Sequence, residues 1–165
     1  MSSGKFRVKV EIPSSRLQLP ASRRKIKFLI RRLADIMFNR WHEKLDGWTV
    51  YIYLIGERRF RKIRWRYIQD DHSSDVVALN YEAESFIKGS SERLLGEVYV
   101  CIPAVYRNCK RYSNSVLDEL MFVIAHGMLH LLGYEDDTPQ KRQQMFELQW
   151  ELLNELKREG FGYEN

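Results

Sequence analysis

The chain has 165 residues, 44% of them hydrophobic and 30% charged, with a formal net charge of +5. That length suits one ordinary domain with a substantial core, and that apolar content excludes a disordered chain. No apolar run approaches the roughly 18 residues that cross a bilayer, and the opening "MSSGKFRVKVEIP" carries no apolar signal core, so a cytosolic protein without membrane association is expected.

The first segment, "KFRVKVEI", alternates. Phe6, Val8, Val10 and Ile12 fall on one side and Arg7, Lys9 and Glu11 on the other, which predicts a half-buried strand. Ser22 is placed to cap a helix in which Ile26, Leu29, Ile30, Leu33, Ile36 and Met37 recur at helical spacing. The polar face of that helix carries Arg23, Arg24, Lys27, Arg31 and Arg40. Asp46-Gly47 marks a turn, and "WTVYIYLI" is a strand by its β-branched and aromatic content. "GERRFRKIRWRYI" reads as a short basic helix with Phe60, Ile63 and Tyr67 inward.

"DDHSSD" is a loop in which His72 is expected to face solvent. "VVALNY", short and nearly all apolar, is expected at the centre of the sheet. "EAESFIKGSSER" is a connection, and "LLGEVYVCI" is the fourth strand. A short helix is expected from Pro103 to Tyr112. Ser115 with Asp118 resembles a capping box. "VLDELMFVIAHGMLHLL" is apolar on nearly every side and predicts a central buried helix that ends at Gly133. Thr138-Pro139 opens the last helix, whose inward stripe is Met145, Leu148, Leu152 and Leu156. The tail 160–165 is expected to fray. With no repeat or linker, residues 1–165 form one α+β domain with four strands.

Cys101 and Cys109 lie in no C-x-x-C pair and are expected to be reduced and partly buried. The charge is unevenly spread. Residues 1–66 hold 18 Lys/Arg against 5 Asp/Glu, net +13, and the rest hold 9 against 17, net −8. One half can face a polyanion while the other supplies acids for chemistry or metal.

"HGMLHLLGYEDD" brings the acids and the imidazoles together. His126 and His130, at i and i+4, share a helix face and can hold one ion. Gly127 stands where H-E-x-x-H zinc helices carry their Glu, which argues against a protease using that residue as base. Past Gly133 the chain can turn back and bring Glu135, Asp136 or Asp137 to the same ion. Two imidazoles, one carboxylate and an open position form a catalytic zinc arrangement. The competing reading is a pair of imidazoles hydrogen-bonded inside the core.

The same stretch closely resembles the H-G-x-L-H-L-x-G-Y-D-H signature of the YbeY family, metal-dependent endoribonucleases of ribosomal RNA maturation. Gly127, Leu129, Leu131, Gly133 and Tyr134 agree with it as well as the two histidines. "DDHSSDVVALNY" resembles that family's D-x-P-T-D-V-L-S-F segment through Asp71, Asp75 and Val76, with Ser74 for the Thr. "LLGEVYV" resembles its L-G-D-I strand. The order of elements fits from about residue 6 to residue 159.

The resemblance implies an α+β fold with a small mixed sheet and one zinc ion on His126, His130 and Asp136. It also implies maturation of 16S ribosomal RNA at its 3′ end and ribosome quality control, on the small ribosomal subunit. Two positions depart from it. The family's third ligand is His, whereas position 136 is Asp, with Asp137 in reserve. Asp lowers the residual positive charge of the ion by about one unit, which leaves bound water less acidic. The family's frequent Y-R pair reads Tyr67-Ile68 here, so a phosphate-holding cation is absent from that position, and Ile68 is expected to pack.

In this reading Arg23, Arg24, Lys27, Arg31, Arg58, Arg61 and Arg64 hold the RNA backbone. Trp41, Trp48, Trp65, Tyr67 and Tyr81 can stack bases but are read first as core. A hydroxide on the metal, or Glu135 or Asp137, serves as base. Asp75 positions its loop beside the site or caps a turn. Two rivals are a non-catalytic RNA-binding factor of ribosome assembly and a zinc-dependent peptidase or amidase. The sequence leaves the oligomeric state open.

Overall fold

The computed structural model describes residues 5–69, 74–81, 92–111 and 115–160. In chain order its elements are β1 (Arg7–Glu11), α1 (Arg23–Arg40), α2 (His42–Leu45), β2 (Trp48–Ile55), α3 (Glu57–Tyr67), β3 (Val76–Asn80), β4 (Arg93–Cys101), α4 (Ile102–Arg111), α5 (Val116–Leu131) and α6 (Pro139–Arg158). The four strands make one sheet in the order β1-β2-β4-β3. β1 and β4 each run parallel to β2, and β3 runs antiparallel to β4. The sheet is therefore mixed and the architecture α+β.

The three longest helices start where a side chain can satisfy an orphan N–H. Ser22 Oγ accepts from Lys25 N at 3.1 Å, Ser115 Oγ from Asp118 N at 3.0 Å and Thr138 Oγ1 from Lys141 N at 3.2 Å. Gly47, after Asp46, takes φ +82° at the turn into β2. The apolar stripe of α1 is buried in full, from Ile26 to Met37. It packs with Val50, Ile52 and Leu54 of β2, Val98 and Val100 of β4 and the apolar faces of α5 and α6 in one large core. On the other face of the sheet, Ile55, Val77, Tyr99 and Cys101 form a second cluster with Phe60 of α3 and Ala104 of α4. Cys101 and Cys109 are free and buried, and burial pushes the Cys101 thiol up.

Two glycines record how closely α5 lies on the sheet. A Cβ on Gly127 would stand 2.6 Å from Val98 Cγ1, and one on Gly96 would stand 2.6 Å from Leu131 Cδ2 and run into the Leu79 carbonyl. Position 127 therefore has no room for the glutamate of an H-E-x-x-H helix.

The structure corrects the sequence reading in three places. β3 is an edge strand, not a central one. Its apolarity comes from being covered on both faces, with Val76 and Ala78 against the large core and Val77 and Leu79 in the second cluster. On α3, Phe60 is buried and Ile63 half-buried, but Tyr67 is turned outward. Trp65, Tyr67 and Ile68 are 68%, 48% and 45% exposed, so none of the three is core, and Arg64 takes the buried position one turn after Phe60. Leu148 of the last stripe is only half-buried, while Gln149 beside it is buried. His72, Asp71 and the tail 161–165 lie outside the described residues. Among the described residues no helix is long and apolar enough to cross a membrane.

Candidate metal centre

The centre forms where α5 stops. Gly133, at φ +99°, supplies the left-handed residue that ends the helix. Its N–H reaches the His130 carbonyl at 3.0 Å, and the Tyr134 N–H reaches the Leu129 carbonyl at 3.1 Å, the paired bonds of a Schellman turn. Asn80 Nδ2 donates to the Leu131 carbonyl at 3.2 Å, tying the helix end to β3. Trp41 Nε1 donates to Tyr134 Oη at 3.3 Å and the two rings meet edge to face, which anchors the returning loop on α1. Arg142 Nη1 donates to the Asp136 carbonyl at 3.3 Å.

These contacts bring three donors together. His126 Nε2 and His130 Nε2 stand 3.0 Å apart, and Asp136 Oδ2 lies 3.3 Å from the first and 3.5 Å from the second. Ligands bound at the usual zinc distances in a tetrahedron are about 3.3 Å from each other, so the triangle matches one face of such a shell. His126, His130 and Asp136 are the one group of its kind among the described residues able to hold a metal ion. Asp137 turns away to Lys141 at 3.1 Å, and Glu135 pairs with the same ammonium at 3.0 Å. Lys141 holds the Asp137 carboxyl below its ordinary range.

The partners of the other ring nitrogens settle which atoms carry protons. Gln149 Nε2 donates to the Phe122 carbonyl at 3.0 Å, so its Oε1 must be the atom 3.0 Å from His126 Nδ1. An amide oxygen only accepts, and Nδ1 therefore holds the proton. His130 Nδ1 likewise donates to the Tyr134 carbonyl at 3.0 Å. Both Nε2 atoms are then lone pairs, pointed at each other and at a carboxylate. Three electron-rich atoms so placed repel unless a cation lies between them, and hydrogen-bond acceptors on Nδ1 are the usual companions of a metal-bound imidazole. Protonation is a poor substitute. Burial first, then the neighbouring His126, lowers the His130 pKa, against a smaller opposing pull from Asp136.

Two clefts meet at this triad and share Ser74, Asp75, Val76, His126 and Asp136. The larger, about 830 Å³, runs between α5 and α6, and the other, about 560 Å³, runs toward α3 past Arg64, Ile68 and Asn80. Asp75 Oδ2 accepts from Asn108 Nδ2 at 2.8 Å, and its carbonyl accepts from Cys101 N at 2.9 Å, so Asp75 ties its loop to α4 and β4 at the cleft floor.

Of the seven basic residues expected on RNA, Arg64 alone lines either of these two clefts. Arg24, Arg31 and Arg58 are exposed and Lys27 half-buried. Arg61 pairs with Glu57 at 3.5 Å. Arg23 donates to the carbonyls of Ile12 and Ser14 at 2.8 and 2.6 Å, stapling α1 to the loop after β1. Sequence reading passed over Gln149, whose signal was a lone amide within an apolar helix stripe. It also passed over Glu119, buried in the larger cleft two helical turns before His126.

The family model described as Endoribonuclease YbeY matches residues 12–157. The endoribonuclease YbeY of Chlorobium luteolum is 30% identical over 139 residues, covering 83% of this chain and 94% of that protein. That of Ureaplasma parvum is 34% identical over 105 residues, 64% of this chain and 65% of that one. The chain thus spans just under two thirds of the length of the Ureaplasma relatives it matches. Among solved structures, the solution structure of TM1509 from Thermotoga maritima has the same fold, with a TM-score of 0.58 over 92% of this chain and 90% of that one at 22% identity.

Proposed function

The chain belongs to the endoribonuclease YbeY family, and on that premise we propose that it is a metal-dependent endoribonuclease that cuts single-stranded RNA. Its substrate is ribosomal RNA, at the 3′ end of the 16S species and in ribosome quality control, and it works in the cytoplasm with the small ribosomal subunit. The observation that carries the reading is the pair of Nε2 lone pairs aimed with Asp136 at one point between two clefts.

Two imidazoles and one carboxylate favour zinc. When bound, the ion polarises a phosphodiester oxygen and makes a coordinated water more acidic. His126, His130 and Asp136 would hold it, with Gln149 and the Tyr134 carbonyl keeping both rings in the ligating tautomer. Arg64 holds a substrate phosphate in the second cleft, taking over the charge absent from Ile68. The exposed Arg24, Arg31, Arg58 and Arg61 and the half-buried Lys27 add salt-sensitive attraction to the backbone. Glu135 and Asp137, both tied to Lys141, are poorly placed to act as base.

The test is metal content together with RNA cleavage, in the native protein and in His130→Ala. One zinc per chain and cleavage of single-stranded RNA are expected, both lost in the variant, with RNA binding retained. If metal-loaded protein never cuts RNA while His126→Ala still supports ribosomal RNA processing, the non-catalytic binding role replaces this one. Chelator-sensitive peptidase activity would point to the third class.

A further inference from the structure

The wall of the larger cleft beside the triad is aromatic. Phe122 of α5 meets Phe146 and Trp150 of α6 at centroid distances of 5.6 and 5.1 Å, and Phe146 lies 6.2 Å from Trp150. Helix spacing brings these rings to the metal site. Phe122 precedes His126 by one turn on α5, and Phe146 and Trp150 flank Gln149, the residue that orients His126. Phe146 is 46% exposed. A phenyl ring left half in water at the mouth of a cleft gains apolar burial only when something covers it.

The chemistry around the rings narrows the occupant. Arg142 lines the same cleft and also holds the loop that carries Asp136, and Arg107, paired with Glu57 at 2.9 Å, lines it too. The buried Glu119 carboxylate lines it as well, which leaves an anionic backbone to the cationic rim and a flat, apolar-faced group to the interior. A volume of about 830 Å³ is within the range of small-ligand pockets and admits one nucleotide.

We propose that Phe122, Phe146 and Trp150 form a subsite for one unpaired nucleobase of the RNA strand, next to the phosphodiester at the triad. The base stacks on Phe146 and its backbone passes Arg142. A base inside a duplex has both faces covered by its neighbours and cannot enter, so the subsite makes the enzyme select single strands. This inference rests on the ribonuclease reading, and it is tested by binding rather than by cleavage.

Nuclease-resistant single-stranded oligonucleotides, intact or with one abasic position moved along the strand, are titrated into zinc-loaded protein by fluorescence anisotropy. The variants are Phe146→Ala, whose exposed site leaves the core in place, and Phe146→Trp. The Ala variant should bind intact RNA about tenfold more weakly, and the Trp variant should bind as the native protein does. One abasic position should weaken native binding by the same factor and leave Phe146→Ala unaffected. Equal loss for intact and abasic strands, no loss at all, or no RNA binding by the native protein would overturn the proposal. Cleavage of an unmodified strand is followed in parallel. Base-dependent binding without cleavage sinks the nuclease reading and keeps the subsite, whereas cleavage without base dependence does the reverse.

Discussion

α1 and α3 are both rich in arginine, yet α1 turns seven apolar residues into the core whereas α3 buries only Phe60 and Arg64. On α1 several of the charges are struts. Arg23 holds the carbonyls of Ile12 and Ser14, Arg32 pairs with Glu159 at 3.0 Å, and Arg40 with Glu151 at 3.0 Å. On α3 Trp65, like Ile68 just past the helix end, faces water, and the inward Arg64 lines a cleft of the metal site. A helix with a full apolar stripe is held by its packing, and its cations are left to brace the surface. A helix without one can spend a buried position on a charge, and that charge lies in a cleft shared with His126, His130 and Asp136.

The contrast breaks most readily in the core. Leu33→Ala on α1, at a site 1% exposed, should cost about 2–5 kcal/mol in urea unfolding. Ile68→Ala, just past the end of α3, should stay within about 0.5 kcal/mol. Comparable losses at the two positions would show that α3 packs as α1 does. Next in size is the functional half of the contrast. Arg64→Ala should lower kcat/KM for single-stranded RNA roughly thirtyfold, the loss of about 2 kcal/mol from a charged hydrogen bond. Arg64→Lys should recover part of it, while Arg24→Ala, at an exposed position of α1, should change the rate by no more than about twofold. Thermal melts of the same variants separate lost packing from lost phosphate contact.

The smallest effect is a pH dependence centred on the metal site. Burial holds His130 below its ordinary value near 6.5 in the folded protein. As pH falls, the unfolded chain takes up this proton before the folded one does. The contribution to stability is therefore present above about pH 6.5 and is lost as pH falls through the lower folded value. Melting of metal-free protein between pH 7 and pH 5 should show the loss, and His130→Ala should flatten it. An unchanged slope in the variant would remove His130 as its source.

Much of the fold was legible because its signals are local. The stripe from Ile26 to Met37, the caps at Ser22, Ser115 and Thr138, and the run Trp48–Ile55 depend on residues within a few positions of each other. Part of the site was legible for the same reason. His126 and His130 share a face by helix geometry alone, and Gly133 announces the turn that returns Asp136. The edge position of β3 was hidden because an apolar run states that both faces are covered and says nothing about which strands lie beside it. Tyr67 was misplaced because α3 has too few apolar residues for periodicity to choose its buried face, and Arg64 took it.

The sequence by itself determined every element but the short α2, together with the turn after α5 and the family, since each depends on short-range spacing and side-chain identity. Tertiary packing decided the rest. Gln149 fixes the tautomer of His126 from 23 residues away, and Phe122 meets Phe146 and Trp150 only because α6 packs against α5. Arg64 reaches the site only because α3, packed on β4 and α4, places it in the same cleft as β3 and the end of α5. Hydrogen bonding and ring contact act over a few ångströms, so which distant residues come within that range is known only once the helices are docked on the sheet.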